Sequence, residues 1–179
     1  MRDIEGIEDV LAVLEPHWAE IHADFDSHNK HFLRLAKADH DLIGRVLKTH
    51  LIIENFLNSF LTKHYGISDL ADAKLSFYQK AKLLPDGASS SAFVKPGILQ
   101  LNSVRNKFGH TLEFKIERDQ ISAIYEALSV ARSGTDFPTV VDAIEAFCPV
   151  ACAFLSVPPK NLQSLFMKAF SHVRTRNIA

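Results

Sequence analysis

Apolar residues recur at intervals of three and four positions along most of the chain, which is the spacing of amphipathic helices. The longest stripe runs from about Asp39 to His64 and stops before Gly66, a residue that commonly ends helices. Shorter stripes predict further helices over residues 70–84, 98–109, 120–132, 138–157 and 160–173. The short connections between them favour an all-α fold, an antiparallel helical bundle that forms a single domain over residues 1–179.

The N-terminal stretch carries an apolar stripe of its own, from Ile4 to Ile21. Pro16 falls inside this stripe, so we predict a break or a kink near Glu15. Three histidines follow among charged residues: His22, His28 and His31. Because their spacing fits no closed structural zinc site and no cysteine is near, we expect no metal here.

Composition and charge narrow the class of protein. The chain has 179 residues, of which 47% are hydrophobic and 23% charged, and its net charge is −1. These values exclude a disordered chain and a uniformly basic nucleic-acid-binding protein. Residues 160–179 nevertheless contain four basic residues and no acid: Lys160, Lys168, Arg174 and Arg176. This end of the chain can attract phosphate locally.

The cysteines and the hydropathy pattern bear on the location of the protein. Cys148 and Cys152 are the only cysteines, and they lie four positions apart in an apolar run that we predict to be helical. That spacing gives poor disulfide geometry, so we expect two buried free thiols. The N-terminus lacks the apolar core of a signal peptide, and no run approaches the roughly 18 apolar residues of a membrane span. We therefore expect a cytoplasmic protein without membrane contacts.

Polar residues gather at the end of one predicted helix. The segment L-N-S-V-R-N-K-F-G-H, residues 101–110, places Arg105, Asn106, Lys107 and His110 after an apolar stretch. Asn106 and His110 are about one turn apart and share a face, and Arg105 lies about one third of a turn away. We predict that the guanidinium, amide and imidazole converge at the rim of the bundle.

Other residues near this segment have simpler roles. The helical spacing turns Val104 and Phe108 toward the core. Glu54 lies in the apolar stripe of the long helix, between Ile53 and Phe56. An unpaired carboxylate beside an apolar face is costly, so Glu54 either faces solvent or pairs with an arginine.

The polar segment and its surroundings resemble the HEPN superfamily. The hallmark of that superfamily is an arginine, a polar residue and, a few positions later, a histidine. Here the pattern reads R-N-K-F-G-H, with Arg105, Asn106 and His110 at the matching positions. The layout is similar as well: a long apolar helix comes first, then a helix with Phe77 and Lys80, and then the motif helix.

The resemblance is greatest to the mannitol-repressor-like branch and covers about residues 39–132. Residues 1–35 and 136–179 would be N-terminal and C-terminal helical extensions of this core. Some toxin-like members carry a tyrosine two positions after the histidine, where this chain has Leu112. The chain is therefore less similar to that branch.

The resemblance implies a homodimer in which two motif helices meet across a groove. It also implies, as in many members, an endoribonuclease that needs no metal or other cofactor. His110 would exchange protons with the 2′-OH and the leaving oxygen, because imidazole titrates near neutral pH. Arg105 would bind the phosphate, Asn106 would orient the phosphate or the imidazole, and Lys107 would help to bind substrate. Glu54 would support the site.

An alternative function is open within the same resemblance. Some members bind without cutting, and the mannitol-repressor-like branch includes regulators. The chain would then be a non-catalytic module that acts through its dimer surface and the basic residues 160–176. The partners that the two hypotheses name are RNA or another nucleic acid, and a protein such as an antitoxin in a toxin or defence system. The chain has no Gly-rich phosphate loop and no G-x-S-x-G context, which disfavours P-loop nucleotide hydrolases and serine hydrolases.

Overall fold

The computed structural model describes residues 7–29, 33, 39–66, 70, 72–110, 115–132, 134, 136–156 and 158–175, with the backbone alone at 27, 28, 109 and 110. Helices dominate these residues, and their only β pairing is an isolated bridge between Gly87 and Arg174. The all-α prediction is therefore confirmed. The chain divides into two compact units, residues 1–38 and 39–179.

The described part of the first unit consists of two helices joined by a turn. Helix α1 (Ile7–Leu14) and helix α2 (Trp18–His28) flank a 3₁₀ turn over Glu15–His17. Pro16 lies in this turn, and a 3₁₀ turn between two helices accommodates its missing N–H. The predicted break near Glu15 is confirmed. None of the side chains described in this unit is buried.

The second unit is the helical bundle. Its helices are α3 (His40–Tyr65), α4 (Phe77–Lys82), α5 (Ser90–His110), α6 (Ser122–Ala131), α7 (Val140–Leu155) and α8 (Gln163–Phe170). Helix α3 begins where Asp39 Oδ1 accepts a hydrogen bond from the Leu42 N–H at 3.0 Å. It ends at Gly66, which has a φ of 66°, a left-handed conformation that glycine adopts without strain. The predicted limits of the long helix are correct to within one residue.

Helix α4 is shorter than the predicted helix over residues 70–84. It begins after Ser76, whose Oγ accepts the N–H of Gln79, while Gln79 Oε1 accepts the N–H of Ser76 at 2.8 Å. This reciprocal pair satisfies two backbone donors at the helix start. The capping residues thus set the boundary inside a longer apolar pattern.

Helix α5 begins earlier than predicted. The sequence pattern predicts a helix from residue 98, after Pro96, but α5 starts at Ser90 and continues through this proline. Pro96 has no N–H to donate to the carbonyl of Ala92, so one helical hydrogen bond is lost. Val94 and Ile98, on either side of the proline, are fully buried in the core, and this burial outweighs the lost bond.

The ends of the later helices also follow their caps. A 3₁₀ turn over Arg118–Ile121 precedes α6, and Glu117 caps this turn. Thr139 caps α7 by accepting the N–H of Asp142, and Pro149 lies inside that helix. The predicted last helix, 160–173, is a 3₁₀ turn over residues 160–162 followed by α8.

One hydrophobic core joins α3, α5, α6 and α7. Its fully buried side chains include Ile53 and Leu57, Ile98 and Leu101, Ile124 and Leu128, and Ile144 and Phe147. Helix α7 belongs to the segment predicted as a C-terminal extension, yet it supplies the centre of this core. Its Cys148 and Cys152 are buried free thiols, as predicted.

Two contacts fix how α7 packs on its neighbours. A Cβ atom at Gly97 would lie 2.7 Å from Phe147 Cζ, so α5 and α7 approach at a point where only glycine fits. On the other side, Arg45 Nη2 binds Asp142 Oδ1 at 2.5 Å and Glu145 Oε2 at 2.6 Å. These bonds raise the pKa of Arg45 and lower the pKa of both carboxyls.

A buried lysine ties the α4–α5 connection together. Lys95 Nζ donates to the carbonyl oxygens of Lys82 at 3.0 Å and Leu84 at 2.6 Å, and to Asp86 Oδ1 at 2.6 Å. The hydrogen bond from Lys95 lowers the pKa of Asp86. The backbone carbonyl of Asp86 accepts the N–H of Thr175 at 2.9 Å, so the C-terminal segment is attached at the same place.

Candidate functional site

The last two turns of α5 expose a polar strip. Val104 and Phe108 are buried, which confirms the prediction that they face the core. Arg105, Asn106 and Lys107 lie between these two anchors on the helix, and all three are exposed. The buried side chains thus fix the helix, and the intervening residues point their polar groups toward solvent.

Arg105 and Asn106 form a pair. Arg105 Nη1 donates to Asn106 Oδ1 at 3.3 Å. Among the described residues, no carboxylate lies within ion-pair distance of the Arg105 guanidinium. The remaining N–H donors are therefore available to an anion, and a guanidinium can bind two oxygens of a phosphate at once. Asn106 was predicted to orient the phosphate or the imidazole, but its contact here is with the guanidinium.

His110 is the last residue of α5. Its side chain lies outside the part of the chain that the structure describes. The helical backbone places its Cα about one turn beyond that of Asn106. The convergence of imidazole and guanidinium stays a prediction.

A hollow lies beside the guanidinium. It has a volume of about 180 Å³ and is lined by Ile43, Val46 and Leu47 of α3 and by Arg105 and Phe108 of α5. Apart from Arg105, these side chains are apolar. Apolar walls keep water away from one side of the cation, and this strengthens its attraction to an anion.

Glu54 takes part in an ion pair with Lys80. Lys80 Nζ lies 2.9 Å from Glu54 Oε1, and the two side chains are 12% and 27% exposed, respectively. The partner is thus a lysine on α4 rather than solvent or the arginine that we had considered. The pair joins α3 to α4 next to the core. The role of Glu54 as a support of the site stays a prediction.

His50 is a site residue that sequence reasoning missed. It is 5% exposed, and its ring stacks on Phe77 with centroids 3.9 Å apart. Burial lowers the pKa of His50, and Arg105 and Lys80 lower it further, while Glu54 opposes the shift. The imidazole is therefore neutral at pH 7, within electrostatic reach of Arg105.

A sequence signal for His50 existed. Val46, His50, Ile53 and Leu57 are spaced by four, three and four positions along the buried stripe of α3. A histidine at such a position is enclosed when the helix packs. The spacing does not reveal that the arginine of another helix approaches it.

The described residues indicate no metal and no membrane span. The described residues contain no group of three or more His, Cys, Asp or Glu side chains placed to hold a metal ion. Within the same residues, no single helix is long and apolar enough to cross a bilayer. The chain matches no family model, no curated protein and no solved structure. The function of the site must therefore be inferred from its own residues.

Proposed function

We propose that this chain is a metal-independent endoribonuclease of the HEPN type that acts as a homodimer. The observation that carries the proposal is the exposed guanidinium of Arg105. Asn106 holds it by a hydrogen bond, it has no carboxylate partner among the described residues, and His110 follows on the same helix. An exposed cation without a carboxylate partner attracts a phosphodiester, and a histidine on the same helix can take protons from the RNA and return them.

The proposed reaction uses the RNA's own hydroxyl. The 2′-OH attacks the adjacent phosphorus, the bond to the 5′-oxygen of the next nucleotide breaks, and a 2′,3′-cyclic phosphate forms. A base must take the proton of the 2′-OH, and an acid must give a proton to the departing 5′-oxygen. Imidazole performs both steps near neutral pH, so the two His110 side chains of a dimer would share them.

Arg105 would act on the phosphate itself. The phosphorus passes through a pentavalent state in which its non-bridging oxygens gain negative charge. A guanidinium that already points at these oxygens stabilises this state without reorganising, and electrostatic stabilisation of this kind is often the largest contribution to catalysis. Lys107, exposed on the same turn, adds positive charge that favours binding of the RNA strand.

A non-catalytic binding module of the mannitol-repressor-like kind is the second candidate. The apolar lining of the hollow beside Arg105 favours it, because apolar walls fit a protein side chain. Leu47 and Leu51, one turn apart on α3, are exposed and extend this apolar surface. In such a complex Arg105 would pair with a carboxylate of the partner protein or nucleic-acid phosphate without cleavage.

Cleavage of RNA in EDTA tests the first candidate. We expect wild-type protein to cut a fluorescently labelled RNA and to leave cyclic phosphate ends. His110→Ala should lower the rate by about 10²-fold or more, the usual contribution of a general acid or base. Arg105→Ala should lower it by about 10²–10³-fold, the usual effect of removing an oxyanion donor.

Matched controls use a histidine and an arginine elsewhere. His172→Ala and Arg132→Ala remove exposed side chains that belong to neither α3 nor α5 and should leave the rate unchanged. A DNA strand of the same sequence, which has no 2′-OH to attack the phosphorus, should bind but stay intact. Equal cleavage by His110→Ala and wild type would contradict the first candidate. If the wild type binds RNA without cleaving it, and Arg105→Ala abolishes this binding, the result would favour the second candidate.

A further inference from the structure

The N-terminal helices carry an apolar seam that is exposed in the structure. Its members are Ile7, Leu11, Leu14, Trp18, Ile21 and Phe25. The steps between them alternate between four and three residues, which is the heptad spacing of helices that pair along a seam. None of these side chains is buried, and Phe25 is 60% exposed. Six large apolar side chains in such a pattern mark an interaction surface.

The 3₁₀ turn keeps the two parts of the seam on neighbouring faces. Three residues of a 3₁₀ helix advance by a full turn, about 60° more than three α-helical residues. The face of α2 that carries Trp18 is therefore rotated by about that angle from the face of α1 that carries Leu14. One partner helix can contact both faces, because an apolar stripe commonly covers about 100° of a helix.

The helices that carry the seam are acidic. Residues 7–28 contain six carboxylates and neither lysine nor arginine: Glu8, Asp9, Glu15, Glu20, Asp24 and Asp26. A hollow of about 430 Å³ is lined by Glu20 and Asp24 together with Ile21 and Phe25. Carboxylates next to apolar side chains suit a lysine or arginine, whose aliphatic stem packs on the apolar part while its charged end meets the acids.

This charge pattern excludes three other occupants. RNA and an anionic bilayer both bring negative charge to a surface that is already negative. A second copy of this seam would place Glu8 and Glu15 against the same acidic flanks, and like charges across an interface are repulsive. A helix with lysine or arginine beside its apolar stripe has the complementary charge.

We propose that the seam on α1 and α2 docks a basic amphipathic helix of another protein. The apolar side chains bind the partner's stripe, and the carboxylates select for lysine and arginine on its flanks. The inference does not depend on ribonuclease activity. It assigns the N-terminal unit the recruitment of a protein partner.

The single tryptophan of the chain reports on this docking directly. Trp18 is the only tryptophan and lies on the seam, 39% exposed. We would titrate the full chain with a synthetic three-heptad helix that carries leucine along its seam and lysine on both flanks. The expected result is a saturable blue shift of Trp18 emission, with an affinity for the peptide that falls as the salt concentration is raised. The same peptide with glutamate flanks should give no shift.

Matched variants separate docking from general charge attraction. Leu11→Asp and Leu14→Asp should weaken binding at least about tenfold, because each removes an apolar anchor. Ala12→Asp adds the same charge on another face of α1 and should leave binding within about twofold. Circular dichroism checks that all three variants keep their helices.

Three outcomes would overturn the proposal. Equal binding of the lysine-flanked and glutamate-flanked peptides would show that charge does not select the partner. Equal binding to wild type and Leu14→Asp would show that the seam is not the surface used. Self-association of the wild type that Leu14→Asp abolishes, without peptide binding, would assign the seam to contacts between copies of the chain.

Discussion

The first half of α5 is enclosed on most sides, whereas its last two turns expose three consecutive polar residues. Ala92, Lys95 and Gly97 are buried in the first half, and the buried lysine binds three oxygens there. In the last two turns Val104 and Phe108 are buried, and Arg105 is exposed between them. One helix thus combines a rigid anchor with a polar end, and a rigid anchor holds functional groups in a fixed geometry. Substitutions in the first half should therefore lower the stability of the fold, whereas substitutions of the exposed residues in the last two turns should change it little.

Loss of the buried lysine should have the largest effect on stability. Lys95→Ala leaves the carbonyls of Lys82 and Leu84 without their donor, and we expect a loss of about 2–3 kcal/mol in the free energy of unfolding. Urea denaturation followed by circular dichroism measures it. Lys63→Ala, an exposed lysine on α3, is the control and should change the value by less than about 0.5 kcal/mol. Equal effects of the two substitutions would show that Lys95 is not an anchor.

Adding one methyl group to the buried first half of α5 should have the second-largest effect on stability. Gly97→Ala places a Cβ 2.7 Å from Phe147 Cζ, and we expect a loss of about 1–2 kcal/mol from overpacking after the gain in helix propensity. Gly44→Ala on α3 is the matched control, because nothing lies within 4 Å of its added Cβ. That variant should be more stable than wild type by up to about 1 kcal/mol.

A double substitution sharpens the Gly97 result. Phe147→Leu shortens the side chain with which the new methyl group of Gly97→Ala clashes. The double variant should therefore lose less stability than the sum of the losses of the two single variants. Residues in contact commonly couple in this way. Fully additive losses in urea denaturation would show that the two residues do not clash.

A graded effect of pH should come from His50, next to the polar half. Its pKa is lowered in the folded state, so the unfolded chain binds more protons below its own pKa of about 6.5. Stability should therefore be constant above that pH and fall as the pH drops below it, until the folded pKa is reached. Stability curves of the wild type and His50→Gln between pH 7.5 and 5 measure this.

The His50→Gln variant should lack the part of the loss of stability that comes from protonation of His50. The lowered pKa values of Asp86, Asp142 and Glu145 act on stability mainly below about pH 5, where carboxylates of the unfolded chain begin to take up protons. An identical decline in wild type and His50→Gln between pH 6.5 and 5 would contradict the assignment to His50.

The smallest effect on stability should come from the exposed end. Arg105→Ala removes a side chain whose only described hydrogen bond is to Asn106, and we expect a change below about 0.5 kcal/mol. Thermal and urea unfolding of the variant measure it. A large loss of stability would assign Arg105 to the anchor and remove the contrast between the two halves of α5.

Sequence periodicity predicted the helices well where one face is buried and a capping residue stands at the expected place, as in α3. It placed the start of α5 wrongly, because proline is a local signal and the burial of Val94 and Ile98 is a tertiary one. For the site, the exposed state of Arg105 and Asn106 and the buried state of Val104 and Phe108 follow from helical spacing alone. The pairing of Glu54 with Lys80 did not follow, since it requires knowing which helix lies beside α3.

Local chemistry therefore determined the all-α class, the interruption at Pro16, the free thiols of α7 and the polar end of α5. Each depends on residues within a few positions of one another, and a helix brings such residues together wherever it packs. Only the tertiary structure decided that α7 fills the centre of the core and that His50 is enclosed near Arg105. These features depend on which helices pack together. The apolar stripes of several helices look alike in the sequence, so the sequence does not show which stripe packs against which.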